Sequence, residues 1–393
     1  MVQKHNMIKV AFTIIGGKSS WMGGINYLKN LLFALSQLEE HTLKPVLLVG
    51  KKVDEKLLKE FEGLAEIKQY SVFDRYSVKW FLDVILRDIF NLNPFINQIV
   101  VENNIKAISH SYIYGRDLKC LAINWIPDFQ HRRLPHMFSK LNYYVRDFRL
   151  KALSKYSDII IFSSNDALED FKKFKAEYIS KTKVIHFVSQ TSNFEKKSLS
   201  YLEKKYHFSG QFFFLPNQFW VHKNHKVVFE AINLAKEKDK NILLICSGHM
   251  LDERNKKYIE NLKSYITDNA LENNIKLLGK IPFEDVLLLM YYTNSIINPS
   301  FFEGWSSTVE ESKSMNKTII LSNIAVHIEQ APAKGIFFNP NNPEELANIL
   351  LKQLSNLRGE MSAEEEIEKN LQGKTIEFAS QYESLFKAYA TRL

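Results

Sequence analysis

Two doubly wound α/β domains, each built on a parallel sheet, are the fold class this sequence predicts, and three observations predict it. Short runs rich in Ile, Val, Leu and Phe alternate with segments of helical period along both halves of the chain. A polar, aperiodic stretch at 189–197 separates the two series and reads as a linker. The length, 393 residues, is enough for two domains that each bury a core.

The first series opens with an apolar strand at 8–14 and a helix at 25–38 that carries Leu28, Leu31, Leu32 and Leu35 on one face. Between them lies Gly16-Gly17-Lys18-Ser19-Ser20-Trp21-Met22-Gly23-Gly24. Glycines at a strand-to-helix turn let backbone approach a ligand closely, and the helix behind them favours phosphate. No Gly-Lys-Ser/Thr opens the helix at Walker spacing, and a flexible turn is the plain alternative. Strands at 45–49, 106–109, 121–124 and 158–162 follow, with helices between them. The segment 78–90 holds Trp80, Phe81, Ile85, Leu86, Ile89 and Phe90, which reads as core or as a surface helix against a membrane or hydrophobic acceptor. Arg146, Arg149, Lys151, Lys155, Lys172, Lys173 and Lys175 interleave with Tyr143, Tyr144, Phe148 and Phe171. That is the pattern of a wet helix face, or of one resting on an anionic membrane surface.

After the strand at 121–124 comes Pro127-Asp128-Phe129-Gln130-His131, at the carboxyl edge where ligands of α/β sheets lie. Asp128 and His131 can each take a proton or a hydrogen bond, and an N-cap Asp beside a surface His is the bland alternative.

The second series places strands at 212–215, 242–247, 275–278, 295–298 and 318–321. Past the first comes Gln218-Phe219-Trp220-Val221-His222-Lys223, and Lys223 stands at a helix start. A cation is electrostatically misplaced there unless an anion shares the site. Ser247-Gly248 and Gly279-Lys280-Ile281 end two further strands. The strand at 295–298 breaks at Pro299 and Gly304 and resumes as a helix, so the amides near Trp305, Ser306 and Ser307 point outward as an anion seat. Glu303 in the turn and Glu311 two turns down the helix can face one crevice.

Composition narrows the class further. Hydrophobic residues at 45% and charged residues at 24% describe a globular chain, and no run approaches the length needed to cross a bilayer. No cleavage pattern follows the apolar start, so a cytoplasmic, unprocessed protein is expected. Cys120 and Cys246 both lie in apolar runs without metal-ligand spacing, which predicts reduced, inert thiols. The net charge of +8 suits phosphorylated small molecules, lipid headgroups or nucleic acid, but no nucleic-acid motif accompanies it.

The stretch from Glu303 to Glu311 resembles the donor-binding signature of retaining glycosyltransferases of the GT-B fold, family four, in which a Glu followed by Gly and an aromatic residue precedes a second Glu. The resemblance implies two Rossmann-like domains facing each other across a cleft: 1–190 on the acceptor side, a linker at 191–210, a donor domain at 211–372, and a helix at 373–393 crossing back. It gives Glu303 the donor sugar, Glu311 the ribose hydroxyls and Lys223 the diphosphate. Gly23, Gly24, Gly304, Trp305, Ser306 and Ser307 would approach the donor, and Gly248, Lys280 and Ile281 would line the nucleobase. There are two departures. The family's catalytic His falls at Pro127, leaving Asp128 or His131 to orient the acceptor, and its phosphate-binding Arg is replaced by Gln218.

The implied activity is metal-independent, retaining hexosyl transfer from a UDP- or GDP-linked sugar, with no bound cofactor. The acceptor would be a glycan or lipid-linked glycan of cell-surface polysaccharide biosynthesis, met at the inner face of the membrane. A non-catalytic nucleotide or sugar binder is the first alternative, and a nucleotide-sugar epimerase on the same fold the second.

Overall fold

The computed structural model describes residues 7–16, 22–40, 42–191, 195–355 and 364–387. The chain divides into two compact units, Met1–Val188 with Gln372–Leu393, and Ser189–Leu371.

The first unit is built on seven parallel strands: β1 (Ile8–Ile14), β2 (Leu43–Val49), β3 (Glu66–Gln69), β4 (Ala107–Ser109), β5 (Leu121–Trp125), β6 (Ile159–Phe162) and β7 (Thr182–Val184). Their order is β3-β2-β1-β4-β5-β6-β7. Val10, Ala11 and Phe12 are fully buried at consecutive positions because β1 is covered on both faces, which is why it reads as an unbroken apolar run. Strand order reverses between β1 and β4, so the carboxyl ends of these two strands flank the switch point of this sheet.

The helix after β1 spans Met22–Ser36, so Gly23 and Gly24 lie in its first turn, ahead of the predicted start at 25. The part of the glycine loop at 17–21 lies outside the described residues. The helix Glu364–Lys387 contributes its second half to this unit. Phe378 and Tyr382 are buried, and the Tyr382 ring lies 6.1 Å from Phe12. Glu383 Oε1 accepts from both the amide (2.6 Å) and the hydroxyl (2.9 Å) of Thr42, so a charge-assisted pair fixes the register of that helix.

The segment 78–90 forms the helix Val78–Ile85 and a π-helical turn, Leu86–Phe90. The core alternative fails for its large apolar side chains: Phe81, Ile85, Ile89 and Phe90 are exposed. What turns inward is charged. Asp83 and Arg87 are buried 3.5 Å apart, and burial pushes the Asp83 carboxyl up to about 6.

The second unit carries β8 (Phe213–Leu215), β9 (Leu244–Cys246), β10 (Ile275–Leu277), β11 (Ile296–Asn298), β12 (Ile319–Ser322) and β13 (Gly335–Phe338). All neighbours are parallel, in the order β10-β9-β8-β11-β12-β13. The reversal falls between β8 and β11, two strands more than eighty residues apart in sequence. The stretch taken as linker contains a helix, Leu199–Tyr206, whose Leu202 is buried against this unit's core. Cys246 is buried and Cys120 half-buried, both as free thiols, and burial pushes the Cys120 thiol up to about 12.

The Phe378→Ala variant is expected to lose about 3–5 kcal/mol of stability, because an aromatic ring leaves a cavity that the surrounding strands cannot close. A urea titration measures it; an unchanged midpoint would show that this helix adds nothing to the core.

Candidate functional site: the switch point of the second sheet

The turns after β8 and β11 meet at the reversal of strand order, where α/β sheets bind ligands. After β8 the chain makes a short 3-10 turn, Val221–Lys223, and enters the helix His225–Ala235 through Asn224, whose φ of +54° is left-handed. Asn is one of the few side chains that adopts this conformation readily. Asn224 Nδ2 donates to the carbonyls of Pro299 (3.2 Å) and Pro340 (2.8 Å), and Phe301 N donates to His222 O at 2.8 Å. The two turns are therefore fastened by backbone as well as by side chain.

Across that junction Lys223 Nζ lies 2.6 Å from Glu303 Oε1, and both side chains are largely shielded from water. Burial pushes the Glu303 carboxyl up, but the Lys223 ammonium and the Ser300 hydroxyl, which donates to the same oxygen at 2.7 Å, outweigh it. The carboxyl is held below its ordinary range. Ser300 is positioned by Ser322, which donates to its carbonyl at 2.6 Å. Behind it Asn217 Nδ2 donates to Asn298 Oδ1 (3.1 Å), and Asn298 Nδ2 donates to Ser306 Oγ (2.7 Å).

Glu311, on the helix Ser307–Ser314, is the opposite case. It is buried, no hydrogen-bond donor reaches its carboxylate among the described residues, and desolvation pushes its pKa up to about 7. A carboxylate is rarely held so without a partner. At the start of this helix the expected anion seat is narrower than the sequence suggests, because Ser306 N–H already donates to Gln330 Oε1 at 3.2 Å. Gln330 Nε2 returns a bond to Ser306 O at 3.0 Å. The amides of Ser307 and Thr308 meet no acceptor among the described residues, and they carry the positive end of the helix. Gly304 and Trp305 are half-buried in the turn ahead of them.

Gln218 and Gly248 belong to the rim of this site. Gln218 Oε1 accepts from His249 N at 2.9 Å, so this side chain braces the loop after β9 and brings no charge. Gly248 has φ +148°, and a Cβ there would collide with the Asn217 carbonyl, so only glycine allows the loops after β8 and β9 to touch. Gly279 turns the chain after β10 with φ +67°, leaving Lys280 exposed and Ile281 packed against the core. Sequence reasoning missed His222, a buried imidazole beside Lys223 that burial holds neutral by pushing it down to about 3. Asn224, Ser300 and Gln330 were missed too.

In the first unit the residues expected on the acceptor side separate. Asp128 Oδ1 accepts from Gln130 N at 2.9 Å, an N-terminal bond to the short helix Gln130–Arg133. His131 is buried, with Nε2 2.9 Å from Asp147 Oδ1, while Arg132 Nη1 donates to the other oxygen of Asp147 at 2.8 Å. Orienting an acceptor needs an accessible ring nitrogen, so His131 is corrected to a packing role: the short helix turns it onto Phe138 and Tyr143. Another imidazole stands at the end of β4. His110, with φ +54°, has Nδ1 2.7 Å from Ser109 Oγ and Nε2 3.0 Å from Tyr27 OH. Burial pushes it down to about 3, and Tyr27 stacks on Trp125 at 4.2 Å, so this cluster fastens the helix that carries Gly23 and Gly24.

The switch point of this parallel doubly wound sheet thus carries a cation, with helix amides and buried acids on the elements that follow β8 and β11. Residues 195–370 match the family of glycosyl transferases group 1. The chain has the GT-B fold, and the matched stretch lies within the second unit. It is similar in fold to Anabaena Alr3699/HepE in complex with UDP and glucose, at 16% identity and TM-score 0.67, covering 98% of this chain and 100% of that one. A glycosyltransferase from Rickettsia africae matches at 17% identity and TM-score 0.63, covering 98% of both chains. WaaG, a glycosyltransferase involved in lipopolysaccharide biosynthesis, matches at 12% and 0.61, covering 94% of this chain and 95% of that one. No curated protein sequence matches the chain.

The raised carboxyl of Glu311 fixes a pH dependence. Its folded pKa of about 7 lies above its ordinary 4.5, so folding favours the protonated acid. The stability this contributes is complete below 4.5 and is lost as pH rises through about 7. Thermal denaturation of the unliganded protein is expected to show that loss, and Glu311→Gln to abolish it; parallel curves for the two proteins would rule it out.

Proposed function

We propose that the chain transfers a hexosyl group, with retention of anomeric configuration and without a metal ion, from a UDP- or GDP-linked sugar to a glycan or lipid-linked glycan. Cell-surface polysaccharide or lipopolysaccharide biosynthesis is the setting, and the inner face of the membrane the place. The observation that carries the reading is Glu311, a desolvated carboxylate that accepts from no donor among the described residues, on the helix that follows the turn of the Lys223–Glu303 pair at the sheet switch point. A ribose diol supplies the two donors such a group lacks. The UDP and glucose held by HepE, and the lipopolysaccharide role of WaaG, support the donor class and the setting.

In this reading Lys223 and the amides of Ser307 and Thr308 meet the diphosphate, and Glu303 accepts from hydroxyls of the donor sugar. Gln218 donates from its free amide group where the family has an Arg. The bond from the anomeric carbon to the diphosphate oxygen breaks as the acceptor hydroxyl enters on the same face, and the hydroxyl proton passes to the departing phosphate. Negative charge grows on that phosphate, so a fixed cation and helix amides stabilise the transition state more than the ground state. Asp128 takes the acceptor-orienting role that His131 cannot fill.

Incubation with UDP- and GDP-sugars and glycan acceptors tests the assignment, with the anomeric configuration of the product read by NMR. Lys223→Ala is expected to lower kcat/KM by about 10²–10³, and Glu311→Ala to raise the donor KM. Turnover and nucleotide affinity unchanged in both variants would refute the site.

A further inference from the structure

We infer that the helix pair Val78–Phe90 and Lys140–Tyr156 of the first unit is a docking face for an anionic lipid bilayer. The first element exposes Val78, Phe81, Leu82, Ile85 and Ile89 at i, i+3, i+4, i+7 and i+11, with Val78 76% and Ile89 64% accessible. The second exposes Leu141, Tyr144, Val145 and Phe148 at i, i+3, i+4 and i+7, with Leu141 73% accessible. Each stripe spans one face of its helix and faces water where a globular helix would face core.

An ion pair ties the two helices together, beside the stripes. Arg149 of the second helix holds Asp88 of the π-helical turn at 2.8 Å, and Tyr114 donates to the same carboxylate at 3.1 Å. The π-helical turn adds a residue to the repeat, and its left-handed C-cap, Asn91, stops the segment just past Ile89 and Phe90.

Charge selects the occupant. The acids of these elements are all drawn inward: Asp83 onto Arg87, Asp88 onto Arg87 and Arg149, and Asp147 onto His131 and Arg132. The bases are left outside: Lys79 borders the first stripe, and Lys140, Lys151 and Lys155 border the second, all exposed. A second copy of this chain would set like charges against each other, and a soluble acidic partner would leave the apolar stripes unserved. Anionic headgroups over acyl chains satisfy both features, with the apolar stripes inserted and the lysines at phosphate level. The inference extends the transferase reading by naming the surface at which a lipid-linked acceptor is met, and it rests on that reading only for the acceptor.

Sedimentation of the full chain with phosphatidylcholine vesicles, with and without phosphatidylglycerol, tests it. Binding is expected to need phosphatidylglycerol and to fall with salt. Lys151→Ala is expected to lower partitioning about fivefold, and the Phe81→Ser/Ile89→Ser double variant at least about tenfold, with circular dichroism and melting unchanged. Absence of vesicle binding, equal binding to both compositions, or a dimer in solution that the double variant dissolves would each overturn the inference. Calorimetry with UDP- and GDP-sugars on the same preparations separates the two claims: vesicle binding without affinity for any of them sinks the transferase reading alone, and the reverse sinks the docking face alone.

Discussion

The second unit is organised around one ion pair that must survive out of water. Bringing Lys223 and Glu303 together at 2.6 Å strips both of most of their solvent, and an attraction of this kind offsets that loss only where geometry is fixed and the remaining lone pairs are met. The fixing is visible. Strand order makes β8 and β11 neighbours, Asn224 ties the two turns to each other, and Ser300, itself held by Ser322, donates to the same carboxylate oxygen as Lys223. Removing any one of these leaves a buried charge with a looser partner, which is the expensive outcome for such a pair.

Glu303 and Glu311 are two buried acids in different states. The first is kept ionised by an adjacent cation and a hydroxyl; the second is driven toward its neutral form by burial with no donor within reach. Desolvating a carboxylate before the ligand arrives makes its later hydrogen bonds count for more, since water need not be displaced at the moment of binding.

How much was legible in the sequence follows from what each residue does to its neighbours. Interior strands such as β1, β5 and β6 are buried on both faces and so leave unbroken apolar runs. Of the edge strands, β10 was legible and three were not: Glu66–Gln69 is half-exposed and mostly polar, Thr182–Val184 has no buried position, and Gly335–Phe338 buries only Phe338. Lys223 could be read because a cation at a helix start is an electrostatic anomaly, and Glu303 because it sits in a strand-to-helix turn. Asn224, Ser300 and Gln330 could not. They are small common polar residues whose partners lie on other elements, and sequence spacing says nothing about such pairings. His131 was misjudged for a related reason, since a one-turn helix does not reveal whether its imidazole points outward or onto Asp147.

The first unit extends the same reasoning to a surface. In the segment 78–90 the usual amphipathic arrangement is inverted, with an Asp–Arg network under the helix and the aliphatic side chains outside. Such a network is a poor way to anchor a helix compared with packed leucines, because each ion loses hydration. It does fix the helix rotation while leaving the apolar face unspent. A fold that only needed to cover its sheet would gain by turning Phe81, Ile85 and Ile89 inward. Their outward setting makes sense when a second apolar phase is available to receive them, and the inward acids and outward lysines give that phase its charge.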